Sequence, residues 1–255
     1  MFVEAKVSLE KLISTSFKNI PNLLTLGNLM LGMLSIIYTM DGRTQTALSL
    51  IFIAMLLDGL DGKLALRLNA GSELGKQLDS LADLVSFGVA PAVLLYSLSL
   101  QQFALTGLFV TLLFPLAGAY RLARFNLGGK GGAFFLGLPI TIAGGALVSM
   151  GYHSEIMSGW PAISLTLLLT VLMISRIPYP SLKGRQQEIS FPAFILFYGA
   201  IIVFILFLFV WREAIFYLLF AYVAAGPLFS FYKLIGRFLR KQRCFAELPW
   251  INRGL

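Results

Sequence analysis

The chain has 255 residues, 58% of them hydrophobic and 13% charged, with a formal charge of +8. Apolar runs of about 18 residues or more recur along it, which marks a polytopic membrane protein and excludes a soluble domain built on one large core. A single cysteine, Cys244, excludes an intramolecular disulfide and a cysteine-based zinc cluster, and is expected to be an idle thiol.

At the N-terminus, Glu4, Lys6, Glu10 and Lys11 interrupt any apolar stretch that a cleavable signal would need. Residues 7–18 place Leu9, Leu12, Ile13 and Phe17 on one side, the pattern of a short helix lying in the membrane interface. Eight spans are expected to follow, at about 22–40, 46–66, 79–99, 103–121, 136–152, 161–176, 190–210 and 213–232.

The charges order these spans. Of the 20 basic residues, 18 fall before span one, around the second, fourth and sixth connections, or after span eight; only Arg43 and Arg212 fall on the other side. The positive-inside rule then puts both termini in the cytoplasm and Trp160 and Trp211 at the outer interface. The lone histidine, His153, also falls on the outer side and is expected to be an interfacial residue.

The stretch from Asp58 to Asp83 carries the chemistry. Asp58 and Asp61 are three apart and Asp79 and Asp83 four apart, so each pair shares one helix face. A carboxylate near hydrocarbon costs roughly 2.5–3.5 kcal/mol, and four would cost about 10 or more without compensation. A hard divalent cation is the simplest compensation, since oxygen-only ligands suit magnesium, manganese or calcium. The connection between the second and third spans is short, so the two pairs face one another near the cytoplasmic side. Two cations held there would stabilise the attacking and leaving oxygens of a phosphoryl displacement, and a fourth carboxylate would accept a proton. Spacing alone leaves two other readings open, a buried structural network and the ion path of a transporter.

Arg121, Arg124, Lys183 and Arg185, at the ends of the fourth and sixth spans, are either snorkelling anchors or binders of phosphate and carboxylate. Gly128-Gly129-Lys130-Gly131-Gly132 lacks the spacing of a P-loop and is expected to be a loop near the site. The basic, amphipathic 233–243 segment suits anionic lipid and not nucleic acid.

The pattern Asp58-x-x-Asp61-Gly62-x-x-Ala65, then Gly75-x-x-x-Asp79-x-x-x-Asp83, resembles the signature of the CDP-alcohol phosphatidyltransferases. The stretches IPNLLTLGNLMLG (20–32), LDSLADLVSFGVAPA (78–92), RLARFN (121–126), FFLGLPI (134–140) and SRIPYPSLK (175–183) narrow the likeness to the phosphatidylserine synthases. The resemblance implies a six-helix catalytic domain at 20–186; the residues around it add an interfacial segment at 1–19, two extra transmembrane helices at 187–235 and a basic cytosolic tail at 236–255, in an all-α polytopic fold.

It also implies transfer of the phosphatidyl group from CDP-diacylglycerol to the hydroxyl of L-serine, with release of CMP. Glycerol 3-phosphate or inositol phosphate is the alternative acceptor. By the resemblance, Asp58, Asp61, Asp79 and Asp83 hold two ions, magnesium or manganese with calcium as an alternative, and Asp83 is also the base. Pro21, Asn22, Thr25, Gly62, Ala65, Ser72 and Gly75 fall where relatives contact the nucleotide, and Arg121 and Arg124 become substrate-side groups. Where the family has arginine this chain has Leu66; Arg67, turned by about 100°, is expected to take over part of that contact. A homodimer in the bacterial inner membrane, with its site facing the cytoplasm, completes what the likeness implies.

Overall fold

The computed structural model describes residues 20–68, 70–127, 134–151, 159–180 and 216–232. The interfacial segment, the glycine-rich loop, His153, Lys183, Arg185, span seven, Trp211, the basic tail and Cys244 lie outside these residues, as does the side chain of Leu66.

The described chain is helical apart from one pair of three-residue strands. Helix α1 is Ile20–Met40 and α2 is Thr44–Arg67, joined by a turn in which Gly42 takes φ +72°. The two pack along their length, and the Ser35 hydroxyl donates to the Ala47 carbonyl across the seam at 3.0 Å. Helix α3 runs from Glu73 to Leu98 and contains a π-helical turn at Leu84–Val89. A 3₁₀ turn at Leu100–Phe103 leads into α4, Ala104–Leu127. Strand β1 (Phe134–Leu136), α5 (Ile140–Met150), α6 (Trp160–Ile174), β2 (Pro178–Pro180) and α7 (Phe216–Tyr232) complete the described fold.

Three helices, α1, α3 and α4 with its leading turn, are long and apolar enough to cross a membrane; α5, α6 and α7 are shorter apolar helices. Helix α2 is long, but Asp58, Asp61, Lys63 and Arg67 in its last turns lower its hydropathy. The chain is an all-α polytopic membrane protein. Its core collects Leu48, Ile51, Phe87, Leu94, Phe114, Ile140, Leu147, Leu169 and Met173 between the helices. Leu23, Met30, Met33 and Ile37 of α1 and Leu105, Phe109, Leu112 and Leu116 of α4 stay exposed, as helix faces toward lipid do.

Hydropathy misplaces three boundaries. Helix α3 begins at Glu73, six residues before the expected start at 79, because Ser72 caps it: its hydroxyl accepts from Gly75 N–H at 2.9 Å. Helix α4 continues to Leu127, six residues beyond 121, since its arginines and Asn126 find protein partners instead of ending the helix. Helix α5 starts at Ile140 and not at 136, because Phe134–Leu136 pairs antiparallel with Pro178–Pro180 and Gly137 then turns at φ +83°.

Candidate active site

Residues 68–72 separate α2 from α3, α1 packs on both, and Asp58 and Asp61 of α2 come together with Asp79 of α3. Asp58, Asp61 and Asp79 each offer a carboxylate oxygen, and the three oxygens lie within 4.8 Å of one another. At an effective dielectric of about 20, two unit charges at that distance repel by about 3.5 kcal/mol. Helix α1 supplies partial relief. The Thr25 hydroxyl lies 2.7 Å from Asp61 Oδ2 and 3.0 Å from the Pro21 carbonyl, so one buried side chain anchors an almost fully buried carboxylate. Thr141, at the start of α5, donates to Asp58 Oδ2 at 3.3 Å.

Asp83 stands one turn beyond Asp79 and is not part of the three-oxygen group. It is buried, and its Oδ1 has no hydrogen-bond partner among the described residues. It interacts electrostatically with Asp58, Asp79, Asp61 and Arg121. A buried carboxylate oxygen without a donor is costly, and such an atom suits a carboxylate that meets substrate. The π turn begins directly after Asp83, and within it the Ser86 hydroxyl donates to the Asn28 carbonyl of α1 at 2.9 Å.

The donor set fits a hard divalent cation. Metal–oxygen distances of about 2.0–2.6 Å allow ligand oxygens up to about 5 Å apart, and the observed limit is 4.8 Å. The neighbouring surface is open. A side chain added at Gly59, Gly62 or Gly71 would meet nothing within 4 Å, whereas one at Gly75 would lie 2.8 Å from Asn22 Oδ1. Gly75 therefore lets Asn22 of α1 approach the start of α3. Pro21 and Thr25 are buried on α1, Gly62 and Ala65 are half-buried on α2, and Ser72 is exposed at the cap of α3. Of these positions, Asn22 meets Gly75 and Thr25 meets Asp61, and Arg67 closes the last turn of α2.

The two arginines of α4 differ. Arg121 is buried, interacts electrostatically with Asp83, Arg124, Tyr222 and Asp58, and lies over the Phe125 ring at 5.5 Å. Its Nε has no hydrogen-bond partner among the described residues. Arg124 faces protein carbonyls: Nη1 donates to Ile174 O at 2.7 Å, and Nη2 lies 2.9, 3.0 and 3.2 Å from the carbonyls of Leu136, Ser175 and Met173. The expectation places both on the substrate side; Arg121 is buried and couples electrostatically to Asp83 and Asp58, whereas Arg124 is set into the backbone of the β1 and β2 segments.

Sequence reasoning missed Thr141, Asn28 and Tyr222. Thr141 directly follows the FFLGLPI stretch, which was the available signal. Asn28 lies inside the IPNLLTLGNLMLG stretch, whereas no spacing points to Tyr222, whose placement depends on how α7 packs.

Comparison with known proteins bears on the same residues. The family model for CDP-alcohol phosphatidyltransferase matches residues 18–210. The chain is 38% identical over 170 residues to the CDP-diacylglycerol–serine O-phosphatidyltransferase of Bacillus subtilis, covering 66% of this chain and 94% of that protein. It is 40% identical over 175 residues to the archaetidylserine synthase of Methanothermobacter thermautotrophicus, covering 67% of this chain and 73% of that one. A third similar protein, the CDP-diacylglycerol–serine O-phosphatidyltransferase of Helicobacter pylori, is 37% identical over 178 residues, covering 67% and 75%.

Proposed function

The chain belongs to the CDP-alcohol phosphatidyltransferase family, and we propose that it transfers the phosphatidyl group of CDP-diacylglycerol to the hydroxyl of L-serine. The observation that carries the mechanism is the convergence of Asp58, Asp61 and Asp79 beside the separate, buried Asp83. The names of the similar serine transferases support the acceptor.

In this reading Asp58, Asp61, Asp79 and Asp83 would hold two divalent cations, magnesium or manganese, which when bound would supply charge stabilisation to the diphosphate. The protein does the rest. Thr25 and Thr141 fix the rotamers of Asp61 and Asp58. Pro21, Asn22, Gly62, Ala65, Ser72 and Gly75 shape the nucleotide side, where the open backbone at Gly62 leaves room for cytidine, and Arg67 reaches its phosphates. Asp83 accepts the proton of the serine hydroxyl while that oxygen bonds to the lipid-bearing phosphorus. The bond from phosphorus to the CMP oxygen breaks, and CMP leaves with the electron pair.

Eight spans, a cytoplasm-facing site, a six-helix domain over 20–186, a bacterial inner-membrane location and a homodimer belong to the same proposal. They are supported by the charge distribution and by the family likeness. The second acceptor reading, glycerol 3-phosphate or inositol phosphate, keeps the same residues.

The test is CMP release by the purified full-length protein with CDP-diacylglycerol and manganese or magnesium, with each of the three alcohols in parallel. Serine-dependent release is expected, with kcat reduced about 10²–10⁴-fold in Asp83→Asn. Release with another alcohol alone moves the acceptor. Full activity in Asp83→Asn removes the base.

A further inference from the structure

Threonines in these helices mostly satisfy themselves. Thr39, Thr111, Thr166 and Thr170 each donate to the carbonyl four residues earlier in the chain. For Thr141 the residue four earlier is Gly137, which lies outside α5 and turns at φ +83°. The Thr141 hydroxyl instead crosses to α2 and donates to Asp58 Oδ2 at 3.3 Å. The first turn of α5 adds the positive end of a helix dipole, which favours an anionic neighbour.

The seat of α5 sets this contact. Gly145 stands one turn beyond Thr141 on the same face. A Cβ at Gly145 would lie 2.8 Å from Met55 Cε of α2 and 3.4 Å from Leu219 of α7. Met55 and Asp58 are three apart on α2, so α5 meets α2 at two successive levels, with α7 closing on one of them. The approach to α5 is fixed as well. Leu138 N–H donates to Leu172 O at 3.1 Å and Gly137 N–H to Ile177 O at 2.9 Å, and β1 pairs with β2.

Helix α7 begins beyond residue 210, where the family match ends, and it braces both supports. Its Leu219 and Val223 are buried, while Tyr217, Leu218 and Leu228 are exposed. Tyr179 of β2 is fully buried, its hydroxyl donates to the Val223 carbonyl at 3.1 Å, and its ring stacks on Tyr222 at 5.8 Å between centroids. Gly226 is the close-approach position: any Cβ there would overlap the Tyr179 ring. One face of α7 thus bears on α5 through Leu219 and on the strand pair through Tyr179.

We infer that Thr141 is a positioning residue for Asp58 as a cation ligand, and that α7 keeps it in place by bracing α5 and the β1–β2 pair. The inference rests on the metal reading above. A hydroxyl that holds one carboxylate oxygen orients the ligand toward its cation. A helix outside the family match thereby acquires a part in cation affinity.

The experiment measures manganese binding itself. Manganese is titrated into chelator-treated full-length protein in phosphatidylcholine nanodiscs, and the free ion is read by its electron paramagnetic resonance signal. The samples are the unmodified protein, Asp58→Asn, Thr141→Val, Thr141→Ser, Gly226→Ala and the Thr141→Val, Gly226→Ala double variant, with Tm recorded for each. We expect Thr141→Val to raise the manganese Kd about tenfold, and Thr141→Ser, which keeps the hydroxyl, to stay within about twofold of the unmodified protein. Gly226→Ala drives the Tyr179 ring from its place and is expected to raise Kd about threefold to tenfold. It is expected to add nothing to Thr141→Val, because both act through one contact. Should Gly226→Ala not fold, Tyr179→Phe, which removes only the bond to Val223, is read in its place. A Kd that Asp58→Asn leaves unchanged would overturn the metal reading. A Kd lost in Asp58→Asn but unmoved in Thr141→Val, or raised equally in Thr141→Ser, would overturn the role of Thr141 alone. An unmoved Kd in the α7-contact variant, or effects that multiply in the double, would overturn the part given to α7.

Discussion

Asp61 is 3% exposed and Thr25 4% exposed, and the 2.7 Å contact between them joins α1 to α2 at the depth of the acidic cluster. An outer-shell hydrogen bond of this kind orients a ligand oxygen, and its loss typically weakens metal affinity by about 10–100-fold. Thr25→Val keeps the shape and removes the donor. The expected outcome is a rise of at least about tenfold in the manganese concentration giving half-maximal activity, with saturating activity largely retained. An unchanged metal requirement would mean that Thr25 serves helix packing alone. The residue scale also separates the two arginines of RLARFN. They are three apart and chemically identical, yet Arg121 is buried and Arg124 donates to backbone carbonyls.

At the scale of elements, Arg124 explains why two irregular stretches take one shape. The segments around β1 and β2 have backbone carbonyls that no helix satisfies, and a guanidinium with five donors gathers four of them. Gly137 sits in the same cradle at φ +83°, with Arg124 Nη2 where a side chain would go. Arg124→Ala removes the donor shared by those carbonyls, which are part-buried or exposed. A loss of about 1–3 kcal/mol is expected, read as a fall in Tm in detergent micelles. Arg124→Lys restores a minor part of it, since an ammonium cannot span the fork. An Arg124 that instead contacts substrate predicts a raised KM at unchanged Tm, so the two measurements decide between these roles.

For the whole molecule, three facing carboxylates are a source of strain that folding alone leaves in place. A cation that binds the folded state and not the unfolded chain stabilises by mass action, by about 2.7 kcal/mol at a hundredfold excess over Kd. Adding manganese or magnesium to chelator-treated protein is therefore expected to raise Tm, and the rise is expected to vanish in Asp58→Asn. An equal rise in both would place the stabilising ion elsewhere. Family membership decides between the enzyme and the transporter that spacing alone left open.

The sequence by itself determined the membrane class and the meeting of Asp58, Asp61 and Asp79. Hydrophobic run length and a fixed helical period are local properties, and a short connection leaves two helices few ways to pack. Tertiary structure decided what depends on the approach of distant segments. Hydropathy stopped α4 at its first arginine because it reads charge as solvent exposure; buried Asp83 and the carbonyls of the β1 and β2 segments are what hold Arg121 and Arg124 inside the fold. Thr141 reaches Asp58 across 83 residues, and Tyr179 reaches Val223 across 44. No periodicity encodes such pairings, because each is fixed by the packing of whole helices and not by any run of neighbouring residues.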